Sequence, residues 1–198
     1  MEPALRIVPA SESSADDLQT VFGPRGEAHS CQCQWVRLPG REYRAMPVEE
    51  RRERFHEQAA GGTPSGAPSG LVAYLGDDPV GWVAVEPRSA YRRLRTGRVV
   101  WPGRDENPDD DTVWAITCFV VRTGWRRRGI SRELAAAAVE HARRHGARAV
   151  EGYPLELDPG REQQWGELFV GSPGVFAAAG MVEVSRPTPR RRVMRVEL

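Results

Sequence analysis

A short segment rich in arginine and glycine holds the residue types that could bind an anion. The apolar run Val113–Val121 leads into a basic turn at residues 122–127, and helical periodicity follows over residues 128–145. The first turn of a helix leaves N–H groups unpaired and carries positive partial charge. Glycine allows a phosphate to approach the backbone, and arginine adds charge-assisted hydrogen bonds. This order of strand, turn and helix predicts a site for a diphosphate.

The spacing of this segment excludes the commonest nucleotide-binding motifs. The sequence contains neither G-x-x-x-x-G-K-[ST] nor G-x-G-x-x-G, so a P-loop or a dinucleotide-binding turn is not expected. All basic residues are arginines, so chemistry through a lysine Schiff base is also excluded.

The turn resembles the acyl-CoA signature of the GNAT superfamily of N-acetyltransferases, [QR]-x-x-G-x-[GA]. Six residues carry the resemblance: Arg126, Arg127, Arg128, Gly129, Ile130 and Ser131. Ser131 departs from the usual Gly or Ala but is also small. Downstream, residues 176–181 (FAAAGM) are similar to the family's aromatic-x-x-x-Gly-Phe block. The resemblance covers residues 71–198, and the first 70 residues match only in rough order, in a region where the family varies with its substrate.

The resemblance implies a mixed α/β (α+β) fold. It predicts a central, mostly antiparallel mixed sheet of about six to seven strands, splayed at the middle and flanked by about four helices. It also predicts one domain over residues 1–198, with a variable substrate-side region at 1–70 and an acyl-CoA-binding core at 71–198.

The resemblance further implies acetyl-CoA as cosubstrate and no metal. In such a fold the pantetheine arm pairs with the strand before the signature, here at Phe119, Val120 and Val121, and the signature turn holds the diphosphate. Arg132 is an outer contact. Phe176, in the downstream block, is expected near the thioester.

The reaction implied is direct attack of an amine on the thioester, which requires that the amine lose a proton. Glu151 is the favoured base by resemblance, and Glu86, Glu156 and Asp158 are its rivals. On this hypothesis Glu151→Gln lowers kcat strongly and leaves acetyl-CoA affinity unchanged.

The acid that protonates the departing thiolate is harder to assign from the sequence. Many family members have a tyrosine where this chain has Phe176, which cannot donate a proton. Tyr153, Cys118 or Ser172 could replace it. Alternatively no acid is needed, because a thiol of pKa about 8.5 leaves readily as the thiolate.

Composition agrees with a globular protein of this kind. The 198 residues are 40% hydrophobic and carry a formal net charge of +1, which does not favour nucleic acid or an anionic membrane as partner. Three cysteines do not form a disulfide framework, and no stretch is long and apolar enough to span a bilayer, so a cytoplasmic protein is expected. The acceptor would be a small-molecule or peptide amine, and a homodimer is left open.

Hydrophobic periodicity and turn residues predict the elements that must position the site. Strands are expected at 5–8, 71–75, 80–85, 113–121, 147–153, 181–185 and 192–197. A helix is expected from a cap at Ser13 or Ser14 to about Phe22, and others at 47–60, 128–145 and 173–179. Residues 88–98 are a further candidate helix. Loops are expected at 61–70, 102–111 and 154–174, the last with a turn of helix at 165–169.

Three other groups of residues have alternative interpretations. His29, Cys31 and Cys33 could ligate a metal, although a packed loop is the simpler reading because a zinc site needs four ligands. Tryptophans 35, 101 and 165 lie in loops and could line an acceptor pocket. The acidic residues of 105–111 could attract a cationic amine, or could simply be solvated. A non-catalytic acyl-CoA-binding module and an arginine-rich nucleic-acid-binding domain are the competing functions.

Overall fold

The computed structural model describes residues 4–97, 100–156 and 169–198, and these form a seven-stranded sheet with helices on both faces. The strands are β1 Leu5–Pro9, β2 Gly70–Leu75, β3 Asp78–Pro87, β4 Val113–Val121, β5 Ala149–Gly152, β6 Val182–Ser185 and β7 Val193–Glu197. The helices within the described ranges are α1 Ala15–Phe22, α2 Glu27–Cys31, α3 Gly40–Ala45, α4 Val48–Ala59, α5 Arg92–Thr96, α6 Ile130–Arg144 and α7 Pro173–Ala178.

The sheet has the order β1-β2-β3-β4-β5-β7-β6, and all its neighbouring pairs are antiparallel except β4 and β5. β4 has nine residues but pairs with β5 only from Val113 to Ile116. Beyond Ile116 the two strands part, so the second half of β4 has a free edge. The predicted mixed sheet with a splay at its middle is therefore confirmed.

The helix α6 covers one face of the sheet at its centre. Leu134, Ala135, Ala138 and Ala142 are fully buried against the sheet, as the apolar periodicity of the sequence predicted. Alanines at these positions let the helix approach the strands closely. The helix therefore fixes the direction in which the turn before it opens.

The opposite face of the sheet is covered by the first 60 residues. Phe22 of α1 and Phe55 of α4 pack on Trp82 of β3, with ring centroids 6.1 and 5.0 Å from that of Trp82. α1 begins with a capping box, in which Ser14 and Asp17 each accept from the other's backbone N–H. This confirms the predicted helix start. The hydroxyl of Tyr74 on β2 donates to the Asp17 carboxylate at 3.0 Å and so joins α1 to the sheet.

Several boundaries differ from those expected. α6 begins at Ile130 rather than at residue 128, because Gly129 has φ +80° and Arg127 has φ +61°, both outside helical geometry. The short helices α2 and α3 occupy part of the variable region that had no helical periodicity. The helical turn expected at 165–169 lies outside the described residues, apart from Phe169. Within the described part of the chain, no helix has the length and apolar character needed to cross a membrane.

Candidate active site

The turn between β4 and α6 has the backbone geometry of an anion-binding site. Gly124, Arg127 and Gly129 all have positive φ, and Gly129, the N-cap residue of α6, provides no side-chain cap. A Cβ built on Gly129 would meet no described atom within 4 Å. The space beside Gly129 is thus open, and since the N–H groups at the start of a helix have no partner within it, an anion bound there can accept hydrogen bonds from Ile130 and Ser131.

A cavity of about 440 Å³ lies against this turn, on the face of the sheet that α6 covers. The turn contributes Arg126, Arg127, Gly129, Ile130, Ser131 and Arg132 to its wall, and β4 contributes Phe119 and Val121. Most of the residues expected to bind acetyl-CoA are therefore brought together.

Two of the residues expected to contact the coenzyme, Arg128 in the turn and Val120 on β4, do not line this cavity. Arg128 is not among the lining residues; its guanidinium lies over the ring of Trp125, 4.9 Å from the centroid. Val120 points to the opposite face and packs with Trp82 and Phe55. It borders a larger groove, about 1510 Å³, between β4 and the α1–α2 segment.

The splay between β4 and β5 begins at a β-bulge. The register of β4 against β3 shifts between Ile116 and Cys118, so Thr117 is the extra residue. Past this bulge, the backbone N–H of Phe119 donates to the carbonyl of Phe169, with N···O 2.6 Å. The segment at Phe169 therefore occupies part of the free edge of β4.

A second cavity, about 270 Å³, opens at the same splay. It is lined by aliphatic and aromatic side chains of several elements, among them Trp35, Leu94, Val100, Ile116 and Tyr153, and by Arg93. Val170 lines this cavity, whereas its neighbour Phe169 lines the first one. The two cavities therefore approach each other across the segment Phe169–Val170.

Glu151 lies on β5 at the centre of a buried cluster of charges. Its side chain is fully buried and accepts hydrogen bonds from Arg88 at 3.2 Å, from Arg195 at 2.7 Å and from Arg104. The hydroxyl of Tyr153 also donates to it, at 2.7 Å. These donors occupy both carboxylate oxygens, so the expected base is already neutralised by its surroundings.

The pKa values reflect this arrangement. Burial by itself would raise the pKa of Glu151, but the hydrogen bonds and charge of Arg104, followed by Tyr153 and Arg88, lower it below its usual value. Burial raises the pKa of Tyr153 well above its usual value, and the neighbouring Glu151 charge raises it further. Glu151 is thus a weak proton acceptor, and Tyr153 holds its proton firmly.

The rival bases and the candidate acids occupy different surroundings. Glu86 is fully buried and pairs with Arg37, and Glu156 pairs with Arg192 at 2.6 Å. Asp158 lies outside the described residues. A hydrogen bond with the Cys33 thiol, together with burial, raises the pKa of Cys118 well above its usual value. None of these groups in the described residues is an unpaired carboxylate at the splay.

Phe176 is fully buried beside the splay rather than exposed to a cavity. Its ring packs on Phe119, with centroids 5.7 Å apart, and would be 2.2 Å from a Cβ placed on Gly152. Gly152 is therefore needed for this close approach. Ser172, the other nearby candidate for the acid, is the N-cap residue of α7 and makes no side-chain cap hydrogen bond.

The acidic loop before β4 is largely neutralised by arginines. Glu106 bonds Arg88, Arg104 and Arg195, and although burial opposes it, these partners lower the pKa of Glu106 to about 2. Further along the loop, Asp109 and Asp110 pair with Arg95 and Arg148. The loop thus closes over Glu151 through Glu106, whereas Asp105 and Asp111 remain exposed, with Asp111 accepting a hydrogen bond from the Ser89 hydroxyl.

The metal hypothesis for the first cysteines finds no ligand set. Cys33 is buried and accepts a hydrogen bond from the Trp82 indole, whereas His29 contacts the Gly23 carbonyl through Nδ1. Among residues 4–97, 100–156 and 169–198, no group of three or more His, Cys, Asp or Glu side chains is arranged to hold a metal ion.

Sequence reasoning missed two features of the site. One is the cluster of arginines around Glu151, and the other is the Phe169 carbonyl at the edge of β4. Arg88 and Arg195 are 63 and 44 residues from Glu151 in the chain, and nothing in their local sequence distinguishes them from the other arginines. Only the alternation of β5, which puts Glu151 and Tyr153 on one face, was available as a signal.

The fold and the turn before α6 are those of one protein class, and comparison with known families identifies that class. A family model described as the acetyltransferase (GNAT) family matches residues 33–153, more than half of the chain. The chain therefore belongs to the GNAT acetyltransferase family and is an acyltransferase. No curated protein sequence matches it significantly.

Solved structures show the same fold at low sequence identity. PaiA N-acetyltransferase from Thermoplasma acidophilum, in complex with coenzyme A, has 11% identity and a TM-score of 0.54, covering 98% of this chain and 99% of its own. The yncA protein of Salmonella typhimurium, with its cofactor acetyl-CoA, has 11% identity and a TM-score of 0.53, covering 100% and 95%. A GNAT acetyltransferase from Streptococcus pneumoniae has 12% identity and a TM-score of 0.51, covering 98% and 99%.

Proposed function

We propose that this protein transfers an acetyl group from acetyl-CoA to a primary amine of a small molecule or peptide, by direct attack on the thioester. The observation that carries the proposal is the splay of β4 from β5, where two cavities approach each other. One cavity ends at the anion-binding turn, and the other is lined by apolar side chains. A two-substrate transfer needs such adjacent sites.

The residues of the turn fit the coenzyme. The open N–H groups around Gly129 and the guanidinium groups of Arg126 and Arg127 would hold the diphosphate, with Ser131 and Arg132 at the rim of the same cavity. When bound, acetyl-CoA supplies an acetyl thioester. The free edge of β4 at Phe119 and Val121 would orient its pantetheine arm, and a backbone N–H there is the donor for the carbonyl oxygen in the transition state.

Proton transfer follows from the surroundings of Glu151. A carboxylate whose pKa is held below its usual value by arginines is a poor acceptor for the proton of an ammonium group. We infer that the amine reacts from its neutral fraction and that Glu151 positions β5 and Tyr153 rather than acting as the base. The thiolate then leaves without a protein acid, as the low pKa of a thiol permits, in agreement with the buried Phe176. The extra proton on the attacking nitrogen passes to solvent or to the departing thiolate, so the products are the neutral amide and CoA.

The same proposal extends to the organisation and location of the protein. We infer that residues 1–198 form a single domain, because α1 and α4 pack on the same sheet whose other face α6 covers. Cys31, Cys33 and Cys118 are all free, which favours a reducing compartment such as the cytoplasm.

The test is a thiol-release assay with acetyl-CoA and a panel of amines over a range of pH. Thiol release that depends on an amine supports transfer, and a kcat/KM that rises with pH up to the pKa of each amine supports attack by the neutral fraction. A rise in melting temperature with acetyl-CoA without release by any amine would instead indicate a non-catalytic acyl-CoA-binding module.

A further inference from the structure

The smaller cavity at the splay has a cationic rather than an anionic wall. Arg93 and Arg191 line it, and the described lining residues include no carboxylate. The buried carboxylate of Glu86 already pairs with Arg37, and that of Glu151 pairs with three arginines. An ammonium group entering this cavity finds no free negative charge among the described residues.

Arg93 is held in a fixed orientation but has no ionic partner. Its guanidinium lies over the ring of Trp35, 3.6 Å from the centroid, and its Nε donates to the carbonyl of Leu38 at 2.8 Å. Its Nη2 is buried and makes no hydrogen bond with any described residue. This atom lies beside Gly40, which does not line the cavity, so a ligand in the cavity would meet the rest of the Arg93 guanidinium group.

A second guanidinium adds to this positive charge. Arg93 Nη2 and Arg44 Nη1 lie 3.0 and 3.4 Å from the point where a Cβ on Gly40 would be, so they face each other across that glycine. Burial lowers the pKa of Arg93, and the charge of Arg44 lowers it further. No carboxylate of the described residues pairs with either arginine. An anion bound to Arg93 in the cavity would offset this repulsion.

We propose that the acceptor is a small amine that also carries a carboxylate and an apolar body, as an apolar α-amino acid does, and that Arg93 is the specificity-determining residue that binds the carboxylate. This inference rests on the proposed acetyl transfer and names its substrate class. Leu94, Val100 and Ile116 contact the apolar body. The cavity volume of about 270 Å³ lies just below the range for drug-sized ligands, roughly 300–1,000 Å³, which suits a small acceptor.

The experiment compares three amines with the same apolar body: phenylalanine, its amide and phenethylamine. The thiol-release assay is run for each amine, and kcat/KM is expressed per concentration of the neutral amine. Differences in amine pKa then do not decide the result. The carboxylate-bearing amine is expected to have the highest kcat/KM, by roughly tenfold to a hundredfold, as one charge-assisted hydrogen bond provides. Equal kcat/KM for phenylalanine and phenethylamine would overturn the inference.

Variants connect this preference to Arg93. Arg93→Gln is expected to raise KM for phenylalanine by roughly tenfold or more, with the KM for acetyl-CoA and kcat little changed, and to remove the preference over the amide. Arg44→Gln, at an exposed position, should raise the KM for phenylalanine by a smaller factor. This variant still tests the inference if Arg93→Gln does not fold. Arg92→Gln, an exposed neighbour in α5, is the matched control and should behave as wild type.

Binding separates this inference from the proposed function. Titration calorimetry of the protein with phenylalanine and with phenethylamine measures recognition without catalysis. Tighter binding of phenylalanine that is lost in Arg93→Gln supports the inference, even if no amine releases thiol and the proposed transfer fails. Thiol release by phenethylamine as fast as by phenylalanine would support the transfer and overturn the inference.

Discussion

Phe119 and Phe169 are joined by a backbone hydrogen bond across the splay, in which the Phe119 N–H on β4 donates to the Phe169 carbonyl at 2.6 Å. The free edge of β4 is therefore satisfied by the chain itself, at the position where a pantetheine arm would pair. Because one N–H cannot donate fully to two acceptors, the coenzyme and the Phe169 segment compete for this edge.

We expect acetyl-CoA to displace the Phe169 carbonyl from the Phe119 N–H, which the ¹³C chemical shift of that carbonyl can detect. Acetyl-CoA should move the Phe169 carbonyl resonance toward that of a carbonyl without a hydrogen bond, and should also shift the amide resonances of residues 126–131. A fragment of the coenzyme that lacks the pantetheine arm serves as control, because it should perturb the turn and leave the Phe169 carbonyl resonance unchanged. An unaltered Phe169 carbonyl resonance with saturating acetyl-CoA would show that the arm does not displace it from Phe119.

The turn before α6 should bind the diphosphate of the coenzyme specifically. Arg127→Gln removes one guanidinium from the cavity wall and is expected to raise the Kd for acetyl-CoA by roughly tenfold, the effect of one charge-assisted hydrogen bond. Acetyl-pantetheine, which has no diphosphate, should bind both proteins equally. Arg143→Gln, at the far end of α6, is the matched control. If Arg127→Gln weakened the binding of acetyl-CoA and acetyl-pantetheine equally, Arg127 would not act through the diphosphate.

Glu151→Gln should affect stability more than catalysis. Removing the negative charge leaves three arginines around a neutral side chain, which is expected to cost about 3 kcal/mol or more and to lower Tm by roughly 10 °C. The folded variant, assayed well below its Tm, should keep kcat within about threefold of wild type. Glu140→Gln, which breaks an exposed pair with Arg143, is the control and should barely move Tm.

The opposite result for Glu151→Gln is equally informative. A fall in kcat of a hundredfold or more, with Tm and acetyl-CoA affinity unchanged, would restore Glu151 as the general base. It would also require that the arginines around it move apart when the acceptor binds.

The protein should lose stability in mild acid through His141. This side chain is buried against Trp114, and burial lowers its pKa from 6.5 to about 4, with the nearby His145 adding to the effect. The unfolded chain therefore binds more protons between pH 6.5 and 4, so the free energy of unfolding falls over this window as pH decreases, by up to about 3 kcal/mol.

Chemical denaturation at several pH values measures this effect. In His141→Phe the free energy of unfolding should fall less between pH 6.5 and 4 than in the wild type. At pH 8 the histidine is neutral, so the difference in stability between the two proteins reports only the change in packing. An unchanged loss of stability in the variant would contradict the low pKa of His141. Glu106, with its pKa lowered to about 2, contributes to a separate loss between about pH 4.5 and 2.

Local sequence patterns were enough to predict the central part of the molecule. The bounds of β4, the turn and most of α6 followed from apolar periodicity and from glycine at positions of positive φ, which are properties of neighbouring residues. For the same reason the short signature around Gly129 was enough to predict the family and its coenzyme.

The tertiary structure decided the role of the charged residues and the form of the acceptor cavity. The sequence predicted Glu151 on a strand. Whether its carboxylate is a free base or the centre of an ion-pair cluster depends on Arg88 and Arg195, which the fold brings to it from distant positions in the chain. Likewise Arg93, Trp35 and Tyr153 meet only when the first 60 residues pack on the sheet. Local sequence preferences carry no information on such long-range contacts, because each arginine is locally equivalent to the others.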